Sequence, residues 1–202
     1  MQLSQFEIDA LTEVINIGLG QAANSLNEIM EHHVALNVPK LDIYDINDPE
    51  LSKHIFENTE ISSVRQTFNG EFSGSASLLF PEKSARNLVA NVTGEEFDSP
   101  DLDSIRSSTL LEIGNIVINA IMGTIGNLLN SNLEFSLPEY QKNKGLRKLF
   151  IDENTTDKQK IVVLAETNFS LEKLKVDGFI LLIFEVKAID FLIKMIKRYI
   201  DE

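Results

Sequence analysis

The chain has 202 residues, a formal net charge of −13 and no cysteine, and 43% of its residues are hydrophobic. So acidic a surface disfavours broad binding to nucleic acid or to an anionic membrane, and the missing thiols exclude a disulfide framework, a thiolate metal site and a cysteine nucleophile. Because the sequence opens without a basic leader and has no uncharged apolar run of about 18 residues, we expect a single cytoplasmic body, neither exported nor membrane-spanning.

The first half of the sequence predicts a long helix followed by three strands. Ser4 and Glu7 form a capping box, and apolar residues then recur at helical spacing, which predicts a helix over roughly residues 5–31. Segments of strand character follow over residues 34–43, 61–68 and 71–80. Asn69-Gly70 predicts a tight hairpin between the last two strands. Pro81 suits the first turn of a short helix that ends at Thr93-Gly94.

The second half repeats this order. Ser99-Pro100-Asp101 is typical of a helix start, and we expect this second long helix to run to Asn130. Predicted strands over residues 133–137, 161–169 and 175–186 and a terminal helix to Ile200 complete the half. A polar excursion over residues 139–160 is long for a compact domain, which makes it either a mobile hairpin or an interaction element. We expect one domain, residues 1–202, built of two repeats, about 1–95 and 96–202.

A polar triplet occurs twice, at the same point of each repeat. Its two copies lie 99 residues apart and are Asp9, Glu13, Asn16 and Ser108, Glu112, Asn115. Positions i, i+4 and i+7 share one face of a helix, opposite the apolar stripe in both copies, so we expect each triplet to face outward and to reach a partner. One such stripe would need no explanation beyond solvation. Two copies at matching points of a repeat favour a functional site.

The doubled pattern of Asp or Ser, then Glu four residues on, then Asn three further on, resembles the signature of the CheC, CheX and FliY phosphatases of bacterial chemotaxis. The segment from Glu13 to Leu26, EVINIGLGQAANSL, resembles the NIG-containing segments of CheC in particular. The resemblance covers essentially the whole chain. It implies a CheC-like α/β (α+β) fold: a pseudo-twofold repeat with a six-stranded sheet and two long antiparallel motif helices packed side by side on it.

The resemblance also implies activity toward phosphorylated CheY, namely hydrolysis of the phospho-aspartate of a response regulator. In this family the asparagine amide orients the attacking water, which would make Asn16 and Asn115 catalytic. The glutamate pairs with a lysine of the regulator, so Glu13 and Glu112 would complete each catalytic pair by positioning the helix. An amide suits the first role because it donates and accepts at once.

Partner and cofactor expectations follow from the same resemblance. Asp9 and Ser108 match the first motif position and would help to dock the partner. The chain itself needs no cofactor and no metal: its three histidines lack metal-ligand spacing, and Mg²⁺ is expected on the partner response regulator. Since Asp9 carries a negative charge that Ser108 lacks, the second site has a slight electrostatic advantage toward an acidic regulator site.

The sequence is also consistent with two other classes of function. A non-catalytic module of the same fold would bind a partner in a chemotaxis or flagellar switch complex, or act through a CheD-like receptor deamidase, for which the sequence offers no assignable segment. A more remote class is an acidic structural adaptor with no regulator target. The intact Glu and Asn pairs favour catalysis.

The sequence also predicts roles for two glycines, two apolar residues and a basic cluster. Gly18 and Gly20 lie within a helical pattern, which favours close packing against the second motif helix over a phosphate-binding loop. Phe6 and Ile17 flank the first polar stripe, either as an apolar rim of a docking surface or as residues that fray or are covered by a loop. Six basic residues cluster near the excursion, as a partner contact or as a solvated loop: Lys142, Lys144, Arg147, Lys148, Lys158 and Lys160.

Overall fold

The computed structural model describes residues 3–30, 33–48, 50–51, 60–94, 102–144, 160–171 and 174–201. The helices are α1 (Gln5–Met30), α2 (Glu82–Thr93), α3 (Leu102–Leu128) and α4 (Val186–Asp201). The strands are β1 (Val34–Asp45), β2 (Glu60–Asn69), β3 (Gly74–Pro81), β4 (Glu134–Phe135), β5 (Glu139–Lys144), β6 (Lys160–Leu171) and β7 (Leu174–Glu185).

Local capping signals set the ends of two helices. At the start of α1, Ser4 N donates to Glu7 Oε2 at 2.7 Å and Glu7 N donates to Ser4 Oγ at 3.4 Å, which confirms the capping box. Gly94 ends α2 in the left-handed conformation, with φ 72°, and its N–H donates to Ala90 O. Pro81 precedes this helix as its N-cap instead of lying in the first turn. The expected cap at Ser99-Pro100-Asp101 lies outside the described residues.

The strands form one antiparallel sheet in the order β1-β6-β7-β3-β2-β4, with β5 also paired to β2. This order is symmetric about the β7–β3 pair, so the expected pseudo-twofold repeat is confirmed. The described sheet has seven strands where six were expected. The additional strand, β5, has the polar sequence EYQKNK, which lacks the alternation of a half-buried strand. It forms the first part of the polar excursion, and residues 145–159 lie outside the described part.

The connection between β2 and β3 is longer than the sequence predicts. Asn69-Gly70 suggested a two-residue turn, but residues 70–73 all separate the strands. Gly70 instead packs on the connection after α3, where a Cβ would stand 2.5 Å from the carbonyl oxygen of Asn132. The chain therefore makes this contact before it turns back into β3.

The helices share one face of the sheet. The larger core cluster contains residues of all four named helices together with inward-facing residues of β1, β2, β3, β6 and β7. A smaller cluster on the opposite face includes Leu51, Ile61 and Val162. The stretch Ser104–Leu128 of α3 is long and apolar enough to cross a membrane by length and composition, yet half of its most apolar part is buried within the protein. The apolar stripe of α1 ends before Ile29, which is exposed.

The two motif helices pack side by side through a glycine. A Cβ at Gly18 would stand 2.6 Å from the Cα of Ile121, so α1 and α3 approach at backbone distance. Next to this contact, the Thr124 hydroxyl donates to Gln21 Oε1 at 3.5 Å. The packing role expected of Gly18 is confirmed. The same expectation for Gly20 is wrong, because a Cβ there would meet no atom of the described residues within 4 Å.

A carboxylate with several cationic neighbours connects α2, α3 and β5. Glu82 forms ion pairs with the buried Arg106, with Arg86 at 3.3 Å and with Lys142 at 3.5 Å. Lys142 also lies 3.7 Å from Glu60. This member of the basic cluster is therefore engaged in ion pairs within the chain. Three other members, Arg147, Lys148 and Lys158, lie outside the described residues.

Substitution of Gly18 tests the contact between the motif helices. Gly18→Val should lower the free energy of unfolding by about 1–3 kcal/mol, because its side chain has no room against the α3 backbone. Gly20→Ala is the matched control and should be neutral or stabilising by up to about 1 kcal/mol, since alanine fits open space and favours a helix. Urea unfolding measures both. An unchanged unfolding midpoint for Gly18→Val would contradict the packing described here.

Candidate functional site

Four of the six motif residues are exposed on the two helices: Asp9, Glu13, Ser108 and Glu112. The Asp9 carboxylate accepts a hydrogen bond from Gln5 Nε2 at 2.8 Å, while the Ser108 hydroxyl donates to Ile105 O at 2.9 Å. The glutamate of each copy is thus presented to solvent, where a cationic partner side chain has access.

The two motif asparagines are less exposed than the sequence predicts. Asn16 and Asn115 are half-buried instead of fully outward-facing, and both amide oxygens accept hydrogen bonds from the protein. The cause is a tertiary contact. Each motif helix packs the side that carries its asparagine against a strand: the edge strand β1 for α1, and β2, the strand next to the other edge, for α3. A helical projection of the sequence contains no information about that neighbour.

A β-bulge lies beside the first asparagine. The pairing of β1 with β6 shifts between Asn37 and Lys40, so Val38 and Pro39 stand opposite the single residue Thr167. The shift places the N–H of Val38 toward α1, away from the sheet ladder.

A second bulge occupies the equivalent place on the other edge. Pairing with β2 shifts between Phe135 and Glu139, so Leu137 and Pro138 stand opposite Gln66. These two bulged residues follow Val38 and Pro39 by 99 residues, the offset that also relates the two motif copies. The duplicated motif therefore comes with a duplicated irregularity in the neighbouring strand.

Asn16 is held by the backbone of its bulge. Val38 N donates to Asn16 Oδ1 at 2.9 Å. Because a backbone N–H can only donate, this bond fixes the amide oxygen toward β1 and directs Nδ2 away from it. Among the described residues no hydrogen bond engages Nδ2, and one lone pair of Oδ1 is left. Asn16 can therefore both donate to and accept from a small molecule such as water.

Asn115 is held by side chains instead. Its Oδ1 accepts from Asn119 Nδ2 at 2.8 Å and from Gln66 Nε2 at 3.4 Å. Gln66 reaches it because α3 lies close to β2 at Gly114, where a Cβ would stand 2.5 Å from Val64. With both lone pairs engaged, the amide of Asn115 presents chiefly its Nδ2 donor.

Apolar side chains rim both asparagines. Ile17 is 47% exposed beside Asn16, and Phe6 is 53% exposed near the start of the same helix. At the second bulge Leu137 is 85% exposed, whereas its counterpart Val38 is 5% exposed. The exposure of Phe6 and Ile17 does not fit burial under a loop, and the apolar rim stays a prediction.

The charges around the first bulge are paired within the chain. Lys40, the first residue after the bulge, lies 2.7 Å from Asp42 and 3.7 Å from Glu166. The hydrogen bond with Asp42 raises the pKa of Lys40 above its usual value, so this cation stays charged at neutral pH. Within the described ranges, no group of three histidine, aspartate or glutamate side chains is arranged to hold a metal ion.

Sequence reasoning missed the side chains that hold Asn115. Gln66 and Asn119 carry no motif, and their importance follows from strand pairing and from the approach of α3 to β2. One signal was present: Val38-Pro39 and Leu137-Pro138 repeat at the motif's own offset, and proline within a strand is typical of an edge or a bulge.

Three solved structures share the fold. FliY of Thermotoga maritima matches with a TM-score of 0.75 and 20% identity, over 98% of this chain and 99% of that one. FliM in the FliG–FliM complex of H. pylori matches with a TM-score of 0.60 and 10% identity, over 95% and 100%. The CheX–CheY complex of Borrelia burgdorferi, which contains BeF3 and Mg²⁺, matches with a TM-score of 0.51 and 19% identity, over 86% and 99%.

Sequence comparison identifies the family. The CheY-P phosphatase CheC of Bacillus subtilis is 26% identical over 140 residues, which are 68% of this chain and 66% of CheC, just under two thirds of its length. The profile described as chemotaxis phosphatase CheX matches residues 62–165, just over half of the chain. Together with the paired motif helices on an antiparallel sheet, this match means that the protein belongs to the CheX/CheC family of chemotaxis phosphatases.

Proposed function

We propose that this protein accelerates hydrolysis of the phospho-aspartate of a CheY-like response regulator in the cytoplasm. The observation that carries the proposal is the doubled pair: an exposed glutamate with a half-buried, hydrogen-bonded asparagine one helical turn later, on two adjacent helices of a chemotaxis phosphatase family member. The relatives support the partner, since one is a CheY-P phosphatase and another was solved with CheY.

The asparagines supply the chemistry that such a reaction requires. An acyl phosphate is hydrolysed by in-line attack of water, so an auxiliary protein needs chiefly to place that water and needs no nucleophile of its own. Asn16 has an Nδ2 donor and one Oδ1 lone pair available for this purpose. Asn115 offers mainly its Nδ2 donor. The metal ion belongs to the regulator, and this chain contributes orientation only.

The exposed residues dock the partner. Glu13 and Glu112 stand one turn before the asparagines and pair with a lysine of the regulator, which brings the asparagine to the phosphoryl group. Asp9 and Ser108 lie a further turn away at the edge of the contact. The apolar rim of Ile17 and Leu137 excludes water around it.

A binding role without catalysis is the second candidate. The fold shared with FliM of the FliG–FliM complex favours a module that assembles into a flagellar switch or chemotaxis complex. Action through a CheD-like deamidase belongs to the same class. This candidate predicts partner binding that survives the loss of both motif asparagines.

The asparagines give the decisive test. Asn16→Ala combined with Asn115→Ala should lose about 10²-fold of the acceleration, because the water is no longer oriented. Loss of phosphate from a phosphorylated CheY-like regulator measures it, and circular dichroism verifies folding. Asn91→Ala, an exposed asparagine of α2, is the control and should retain full activity. If neither wild type nor variants accelerate the loss for any regulator encoded nearby, while binding persists, the second candidate replaces the first.

A reciprocal exchange tests the charge difference between the sites. In an Asn115→Ala background, Asp9→Ser should raise kcat/KM of the first site about twofold to threefold at low salt, because it removes repulsion from an acidic regulator. In an Asn16→Ala background, Ser108→Asp should lower kcat/KM of the second site by a similar factor. Both effects should shrink at high salt. Identical rates before and after the exchange would contradict the expected electrostatic advantage of the second site.

A further inference from the structure

The two sites hold their asparagines by different means. The Oδ1 of Asn16 accepts a backbone N–H, from Val38, which no substitution except proline can remove. The Oδ1 of Asn115 accepts side-chain donors, from Gln66 and Asn119. The second site therefore depends on side chains outside the motif, whereas the first depends on a backbone group.

Gln66 is unusual for its surroundings. It is 2% exposed on β2, where the neighbouring inward positions, Val64 and Phe68, are apolar core residues. Its Nε2 donates to Asn115 Oδ1 at 3.4 Å and to Ser136 O at 3.1 Å. Its Oε1 is buried and has no partner among the described residues. Leaving a buried oxygen without a partner is unfavourable, so the two hydrogen bonds that the amide group donates explain why a glutamine occupies this position.

The repeat provides an internal comparison. Thr167 stands opposite the first bulge as Gln66 stands opposite the second, and it is also buried. Its hydroxyl donates to Ala165 O at 3.4 Å and leaves Asn16 to the Val38 N–H. The residue that matches Asn119 in the first helix is Gly20, which has no side chain. Both side-chain donors to Asn115 thus lack an equivalent at the first site.

The close contact that brings Gln66 to Asn115 is also specific to the second site. Gly114 lets α3 approach Val64 of β2, and the matching residue of α1 is the fully buried Ile15. The glycine lets α3 come close enough to β2 for Gln66, two residues after Val64, to reach Asn115.

We propose that Gln66 is a positioning residue of the second site, which holds the Asn115 amide with Oδ1 toward the sheet and Nδ2 toward the regulator. The inference rests on the proposed phosphatase function for its kinetic consequence, but its structural content stands without it. The Ser136 carbonyl, held by the same amide group, ties the bulge and its exposed Leu137 to that orientation.

The kinetic test isolates each site in turn. With the first site removed by Asn16→Ala, Gln66→Met should lower kcat about fivefold to tenfold and change KM less than about twofold, because methionine keeps the volume but donates nothing. With the second site removed by Asn115→Ala, Gln66→Met should leave the remaining rate unchanged. Thr167→Val, the matched substitution opposite the other bulge, should leave both backgrounds unchanged. Equal losses in the two backgrounds, or no loss in the first, would overturn the proposal.

A second readout separates this proposal from the phosphatase activity. In protein labelled with ¹⁵N-asparagine, the side-chain amide signal of Asn115 is assigned by its absence in Asn115→Ala, and that of Asn16 in the same way. Gln66→Met should shift the Asn115 signal and leave the Asn16 signal in place. If neither signal moves, Gln66 does not position Asn115. If only Asn115 moves while no regulator is dephosphorylated, the positioning stands and the phosphatase function fails.

Discussion

Close packing of α3, against the α1 backbone on one side and against the Val64 side chain of β2 on the other, fixes where the two polar stripes stand. On one side Gly18 of α1 meets the backbone at Ile121, and on the other Gly114 meets Val64 of β2. Interiors are packed densely enough that an added methyl group at either contact must displace its neighbours. The separation of the motif helices, and the height of α3 above the sheet, therefore follow from two residues without side chains.

The bulges at the sheet edges lie where polar groups of the sheet meet the motif asparagines. Each bulge lies within reach of one half-buried asparagine, and a bulge changes the direction of nearby backbone groups without ending the strand. At the first edge the reoriented group is the N–H of Val38, which bonds Asn16 directly. At the second edge the side chain of Gln66 takes over this task. The two copies of the motif thus share the glutamate and the asparagine, but the asparagine is held in different ways.

Much of this could be read from the sequence where the signal is local or repeated. The capping box at Ser4, the end of α2 at Gly94 and the paired motif helices depend on neighbouring residues or on the internal repeat. The half-burial of Asn16 and Asn115 could not be predicted, because it depends on strands distant in sequence. Strand β5 was missed because a polar edge strand lacks an apolar face, and the Asn69-Gly70 signal was overridden by a tertiary contact of Gly70.

The two bulges also affect what the sheet presents to other molecules. In the described part of the chain, β1 is one edge strand and β4 with β5 forms the other, and each edge is interrupted by a proline that has no N–H to donate, Pro39 or Pro138. A long, regular edge would offer a row of unpaired backbone groups to another chain. The irregularities that lie beside the asparagines therefore protect both edges against the strand-by-strand association from which aggregates grow.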